Sequence, residues 1–313
     1  MTQSLFGMLV FPGFFFLCLI GACAEYFDRI FHARMQNRKG PPWFQPVADF
    51  IKLSAKEDIV PEEADRFMFK AMPVVAVASA VTAVLYIPLW TTQAMYAFEG
   101  DLIIVLYLLT IPTMAFFLAG WYSTSLYAAV GAVRTLTQLF AYEVPLYISV
   151  LAPAVLANTW SLSGMTKYYA AHPGYWLFNL LGFAVSLVIL LGKLEKVPFD
   201  IPEAETEIVS GVFTEYGGRF LAFFRMAIDI EAVVVASLVA TVFLPFGLGL
   251  PACIGFFLYM VKVALVIAAV SFLRTIFARL RIEQMVDFCW KYLAPAAIVQ
   301  MLINLILKGV LPQ

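Results

Sequence analysis

The chain has 313 residues, 63% of them hydrophobic and 13% charged, with a formal net charge of −1. Globular chains in water carry about 25% charged residues, so the composition excludes a soluble domain, and the near-zero charge offers no electrostatic footprint for nucleic acid. Apolar runs of about 20 residues, enough to cross a hydrocarbon core of roughly 30 Å, recur along the whole length, which implies an all-α polytopic protein forming a single membrane domain over residues 1–313.

In chain order, the apolar runs predict eight spanning helices: about Ser4 to Ala24, Phe67 to Trp90, Leu102 to Trp121, Leu126 to Asn158, Tyr175 to Leu194, Arg219 to Leu244, Ala252 to Leu273 and Phe288 to Leu311. The first begins almost at Met1 without a basic n-region, and reads as a retained helix rather than a removed signal peptide. Between the first two runs, Gln45 to Glu57 sets Val47, Phe50, Ile51 and Ser54 on one helical face and Asp49, Lys52 and Lys56 on the other. That pattern predicts an amphipathic helix lying at the membrane interface within the first cytoplasmic loop. The preceding stretch, Arg34 to Pro46, mixes Arg34, Arg38 and Lys39 with rigid Gly-Pro-Pro and Trp-Phe-Gln-Pro turns, and looks built for docking.

Positive charge is retained on the cytoplasmic side. Of the 20 Lys and Arg residues, sixteen fall on the connections after the first, fifth and seventh runs and two, Lys167 and Lys308, on the opposite side, with Arg134 and Lys262 inside runs. Both termini are therefore expected on the outer side of a cell membrane. The same count makes the stretch from Val197 to Gly218 cytoplasmic. It holds Asp200, Glu203, Glu205, Glu207 and Glu215 between two apolar runs, and so many carboxylates beside membrane helices call for water, a cation or a partner protein.

An ionised side chain near the bilayer centre costs about 2.5 to 3.5 kcal/mol on insertion scales, so such residues usually face a bundle interior and carry function. Glu143 lies near the midpoint of the long fourth run, two residues before Pro145, which cannot donate to the Ala141 carbonyl. Arg134 is nine positions from Glu143, about half a turn away, so no direct pair is expected. In the sixth run Arg225 and Asp229 share a face at i, i+4, while Glu231 points nearly the opposite way. Lys262 sits midway through the seventh. An Arg-Asp pair can be purely structural; the set Glu143, Asp229, Glu231 and Lys262, fed by the acidic stretch, predicts a proton or cation path. The four cysteines, Cys18, Cys23, Cys253 and Cys289, contain no Cys-x-x-Cys pair, and with only His32 and His172 beside them no metal or catalytic set is expected in this chain.

Three stretches, Gly40-Pro-Pro-x-x-Gln-Pro-x-x-Asp-x-x-Lys-Leu-x-x-Lys-Glu57, Arg134-x-x-x-Gln-x-x-x-Tyr-Glu-Val-Pro145 and Pro198-Phe-Asp-Ile-Pro-Glu-Ala-Glu-x-Glu-x-Val-x-Gly-x-x-Thr-Glu-Tyr216, resemble the H-type (subunit 1) membrane subunit family of respiratory complex I. A fourth, Arg274 to Met285 followed by Trp290-Lys-x-x-x-Pro295, is similar too, and the match covers nearly the whole chain. The resemblance implies a membrane anchor that joins a peripheral redox arm to an ion-pumping arm. It implies that Glu143 is the family's buried Glu, and that Glu203, Glu205, Glu207 and Glu215 are its loop acids. Asp28 and Arg29 match a Glu-Arg pair, with a shorter acid. Asp200, Arg134, Asp229, Glu231 and Lys262 join the implied ion pathway. Arg34, Arg38, Lys39, Gln45, Asp49, Arg279 and Arg281 become the docking face for the redox module.

Gly40-Pro41-Pro42 departs from the Gly-Pro-Asn usual in quinone-reducing members, Ala278 replaces a usual Pro and Glu283 a usual Asp. These shifts resemble the large anchor subunit of group 4 membrane-bound nickel-iron hydrogenases or its sulfane-reducing relative. The expectation is then a non-catalytic coupling subunit of a ferredoxin-driven complex. Its implied partners are a small iron-sulfur subunit like the B-type one of complex I, a large hydrogenase-like subunit, antiporter-like membrane subunits and the lipid bilayer. Iron-sulfur clusters and a nickel-iron site belong to those partners. The competing readings are a quinone-binding H-type subunit, a passive scaffold, and a stand-alone cation transporter, which predicts inverted repeats that the sequence does not display.

Overall fold

The computed structural model describes residues 2–172, 174–247 and 250–310. Every regular element among them is helical. Helices α1 (Thr2–Leu9) and α2 (Phe14–Met35) make the first crossing, and α3 (Gln45–Ser54) is the short amphipathic helix that follows it. Then come α4 (Arg66–Val84), α5 (Asp101–Tyr122), α6 (Leu126–Ala157) and the short α7 (Leu162–Ala171). A 3-10 turn over Tyr175–Asn179 leads into α8 (Leu180–Lys193), followed by one turn of α9 (Glu205–Ile208), α10 (Gly218–Phe243) and α11 (Ala252–Ile276). Last, α12 (Ile282–Phe288) runs through a π-helical turn at Cys289–Leu293 into α13 (Ala294–Val310). Eight of these helical segments are long and apolar enough to cross a membrane.

Several boundaries differ from the sequence-based expectation, among them the second crossing, which ends at Val84 and not at Trp90. The first crossing continues to Met35, so Arg29 and Arg34, counted on the first connection by their charge, are carried on helix together with Asp28. The last crossing starts at Ile282 rather than Phe288. Helix α7 is not among the expected elements, because Leu162-Ser-Gly-Met-Thr is too polar to stand out from a connection. Its start is held by Asp101, a fully buried acid at the head of α5 that accepts the Leu162 N–H at 2.6 Å and the Ser161 hydroxyl at 3.1 Å.

The most enclosed helix is α10, which packs against α2, α3, α4, α8 and α11. Apolar side chains such as Leu19, Phe257 and Ile306 point outward from the rim, as a lipid-facing belt requires. Because α10 is surrounded on all sides, acids placed on its opposite faces open onto different sets of neighbours. In membranes, close helix approach depends on small residues, and two glycines decide how the acidic segment seats. A Cβ on Gly131 of α6 would lie 2.6 Å from the Val212 backbone nitrogen, and Gly211, at φ +51°, turns the chain against the Pro202 carbonyl. The acidic stretch is thereby pressed onto α6 instead of standing out into water.

Candidate functional site

Four clusters of charge lie in the bundle and at the end of it that carries the acidic segment. In the first, Gly21 of α2 comes within 3.3 Å of the Asp229 backbone of α10 when a Cβ is placed on it, and the two helices close around Ala24, Glu25, Asp28, Leu190, Lys196 and Asp229. The space left for water is about 20 Å³, enough for a single water or small ion and no more. Asp28, 2% exposed, pairs with Lys196 at 2.6 Å and Arg274 at 3.3 Å and accepts a short bond from Ser271, so one carboxylate ties α2 to the connection after α8 and to α11. Arg29 faces the other way, onto Glu25 at 2.5 Å and Asp49 at 3.0 Å, and with the Gln45 to Asp49 bond fixes α3 to the end of α2.

The second cluster is an ion pair in the bundle interior. Residues two apart on a helix diverge by about 200°, and Glu231 accordingly points away from Asp229, toward α8. There it meets Lys193 at 2.6 Å, and both side chains are 2% exposed. The ammonium also donates to the Leu109 carbonyl at 2.5 Å and to Thr113 Oγ1 at 2.9 Å, both on α5. Pro112 leaves the Leu108 carbonyl without its helical donor, loosening the turn that receives the lysine. The ring of Tyr142 lies 5.9 Å from the ammonium, and its hydroxyl is 3.3 Å from Thr113 Oγ1. Counted by its charge among the loop residues that set orientation, Lys193 is instead a helical, interior residue.

Glu143 forms the third. It is half-buried at the α5–α6 edge, and its Oε1 accepts from Thr110 Oγ1 at 2.8 Å and Tyr147 Oη at 2.7 Å. Thr110 follows Leu109 directly, so Glu143 and Lys193 grip the same turn of α5 from two sides, and Glu143 lies within the electrostatic reach of the ammonium.

The acidic segment makes the fourth. Asp200 pairs with Arg279 at 3.0 Å, Glu203 with Arg225 at 3.3 Å and Glu207 with Arg134 at 2.5 Å. The Arg225–Asp229 pair suggested by i, i+4 spacing does not form: Arg225 turns to Glu203, while Asp229 is drawn into the α2 cavity. Arg134 reaches Glu207 and not Glu143. The Arg134 guanidinium holds the Glu207 carboxyl below its usual range. Glu215 is half-buried just before α10. The side chain of Glu205 lies outside the described residues.

Glu195, which sequence patterning does not single out, has its Oε1 shut off from water with no hydrogen-bond partner. Burial, then the fields of Glu203 and Glu231, push this carboxyl up to about 8, against the opposing pull of Lys193 and Arg225. It stands between the acidic segment and the interior pair. The available signal was the Lys193-Leu-Glu195-Lys196 run, which alternates charge at the end of an apolar helix.

Lys262 is remote from these clusters. It is buried on α11 with its ammonium on the Phe246 carbonyl and 4.5 Å from that ring's centroid. Arg34, Arg38 and Lys39 are exposed, as is Arg281 at the start of α12, where Gln284 caps its N–H. Gln45, Asp49 and Arg279 are engaged within the chain, the last also donating to the Asp200 carbonyl. Trp43 and Phe44 stand out beside the basic residues, 76% and 50% exposed.

The NADH dehydrogenase family model matches residues 8–305. The chain belongs to the NADH dehydrogenase family of H-type membrane subunits. It is 34% identical to the H-type subunit of NADH-quinone oxidoreductase from Thermomicrobium roseum over 90% of each chain. It is 33% identical to NADH-quinone oxidoreductase subunit 8 of Thermus thermophilus, covering 88% of this chain and 80% of that one. Among solved structures, a chain of the membrane-bound sulfane sulfur reductase, an archaeal respiratory membrane complex, superposes with a TM-score of 0.86 at 26% identity, covering 97% of this chain and 100% of that one. As a member of this family the protein is a multi-pass membrane subunit of a complex I-like oxidoreductase. The resemblance read from the four motifs thus holds for the family.

Proposed function

We propose that this chain anchors a ferredoxin-driven redox module of the membrane-bound hydrogenase or sulfane-reductase type, and carries the charge network through which electron transfer is coupled to proton or sodium movement. The observation that carries the reading is the succession Glu203, Glu195, Glu231, Lys193 and Glu143, which leads from the acidic segment through the bundle interior to the α5–α6 edge. A buried carboxylate oxygen with no hydrogen-bond partner among the described residues and a buried ion pair are costly features for a passive anchor.

The Gly40-Pro41-Pro42 run, Ala278 and Glu283, which depart from the residues usual in quinone-reducing members, favour this type over quinone reduction. In this reading the termini face outward and the acidic segment faces the cytoplasm. Arg34, Arg38 and Lys39, with Trp43 and Phe44, meet the small iron-sulfur partner. Iron-sulfur clusters and the catalytic metal reside in partner chains, and antiporter-like subunits receive the ion beyond Glu143.

The test is native purification in mild detergent through a tag on this chain, with mass spectrometry of the companions and nickel, iron and quinone analysis. Nickel with iron is expected for the hydrogenase type, and iron without nickel or quinone for the sulfane-reductase type. Bound quinone would move the assignment to a quinone-reducing complex, and a lone chain without iron would leave the transporter. In vesicles, Glu143→Gln is expected to abolish ion movement; full pumping by that variant would sink the coupling role.

A further inference from the structure

We propose that Lys262 is a charge barrier: its buried ammonium closes the seam between α10 and α11 that leads away from the Asp28–Asp229 cavity, so that protons and sodium ions do not leak across the membrane through this chain. The inference goes beyond the coupling reading above and does not depend on it.

The cavity between α2 and α10 is walled by three acids, Glu25, Asp28 and Asp229, and has room for one water or small ion. Its lining continues away from the acidic segment along Ala232 and Ala236 of α10 and Val266 of α11. Ala236 lies about 10 Å along the helix from Asp229. The two alanines fill little of the seam, and beside them the hydroxyls of Ser237 and Tyr259 meet at 2.7 Å, a polar contact between α10 and α11. Carboxylates at one end and hydroxyls further along are features that favour passage of a cation. What stands beyond them opposes it.

One helical turn past Val266, about 6 Å, the seam meets Lys262. It is 8% exposed, and no carboxylate pairs with it among the described residues. Side chains on a helix tilt toward its N-terminus, which for α11 is the end away from the acidic segment, so the ammonium reaches toward the mouth of the seam. There it donates to the Phe246 carbonyl, just past the C-terminal end of α10, and lies 4.5 Å from the centroid of the Phe246 ring, which packs on Trp176 at 6.0 Å. A helix C-terminus and the face of an aromatic ring both favour a cation. An ammonium has no acceptor, so the charged lysine does not take up a proton arriving from that side. Without a paired carboxylate its field is uncancelled, and low dielectric magnifies the repulsion it exerts on an entering cation. Pores that exclude protons and cations use a fixed positive charge in the same way.

A structural role would look different. If Lys262 only ties the connection after α10 to α11, an amide that donates to the same carbonyl serves as well. The test therefore compares Lys262→Gln with Lys262→Arg, each in the intact complex reconstituted in sealed liposomes with no electron donor. A potassium gradient with valinomycin drives ions across, and leak is read with an internal pH dye, radiolabelled sodium and radiolabelled chloride, beside native-gel assembly. Lys262→Gln is expected to raise proton or sodium leak about tenfold or more, without a matching rise for chloride, and Lys262→Arg to stay within about twofold of native. Phe246→Leu, which removes the ring that keeps the ammonium from snorkelling outward, is expected to raise cation leak about threefold.

Cation leak within about twofold of native in Lys262→Gln, or in Phe246→Leu should Lys262→Gln not assemble, overturns the barrier. Chloride passing as fast as the cations marks broken packing and overturns it too. Because no electron transfer is involved, the outcome is separate from that of Glu143→Gln: full pumping by that variant would sink the coupling role and leave the barrier standing, and a cation-tight Lys262→Gln would do the reverse.

Discussion

Glu231 and Glu207 are both glutamates paired to a base at about the same distance, 2.6 Å and 2.5 Å, yet one is 2% exposed and the other 54%. Distance alone makes them equivalent; solvent makes them opposites. The interior pair has replaced hydration with a single partner, so deleting that partner leaves an uncompensated charge. The peripheral pair keeps its water, and its Coulomb gain is shared with the solvent and screened by salt. The comparison divides the charge network into an inner part, where geometry and charge are inseparable, and an outer part that tolerates change.

The largest expected effect is on the inner side. Lys193→Met should destabilise the chain by about 3–5 kcal/mol through the stranded Glu231, read as a lowered unfolding midpoint in detergent and loss of assembled complex. Arg134→Met, the matching truncation outside, should cost less than about 1 kcal/mol. Equal losses would break the comparison. Next in size is Asp28→Asn, which removes the one carboxylate that Lys196, Arg274 and Ser271 share. About 2–3 kcal/mol is expected, since Lys196 and Arg274 keep part of their hydration, together with loosened packing of α11 on α2, measurable by hydrogen exchange over 266–276.

These placements were unevenly legible in the sequence. Eight apolar runs gave the crossings, because in a bilayer every backbone polar group must be satisfied within a helix. The divergence of Glu231 from Asp229 followed from helical period. Partner choice did not. Spacing put Arg225 over Asp229, but Glu203, from a segment pressed onto the bundle by Gly131 and Gly211, competes for it. Lys193 is easily misread because a lysine at the end of an apolar run looks like a snorkelling anchor until the opposing acid is located in space. The roles of Asp28 and Glu195 stay hidden for the same reason: their neighbours come from other helices.

Glu195 lies between the two regions, and its pH response sharpens where the boundary falls. Its carboxyl is raised to about 8 in the folded chain, so the folded state holds a proton that the unfolded chain releases near its ordinary value of about 4.3. A raised carboxyl costs nothing below the unfolded value. The cost grows as pH rises from about 4.3 and levels off above 8, with a slope of up to about 1.4 kcal/mol per pH unit. Glu195→Gln removes it. The variant should match the native chain near pH 4, exceed it in unfolding midpoint by a margin that widens to about pH 8, and run parallel above. A constant difference across that range would assign Glu195 to the solvated, outer class.

Glu207→Gln should have the smallest effect. Its hydrogen bond and attraction to Arg134 lower the carboxyl, so the interaction contributes above the unfolded value near 4.3 and is lost as pH falls through the depressed folded value. More than half of that side chain is in water, which limits the change in stability at neutral pH to below about 1 kcal/mol, and it should shrink further as salt shortens the screening length to about 3 Å at 1 M. The same salt titration applied to Lys193→Met should leave its penalty almost unchanged, because counterions do not reach a pair that is 2% exposed. Salt sensitivity at Glu207 with none at Lys193 is what separates charge that communicates with solvent from charge that communicates only with other buried groups, and coupling across the bundle requires the second kind.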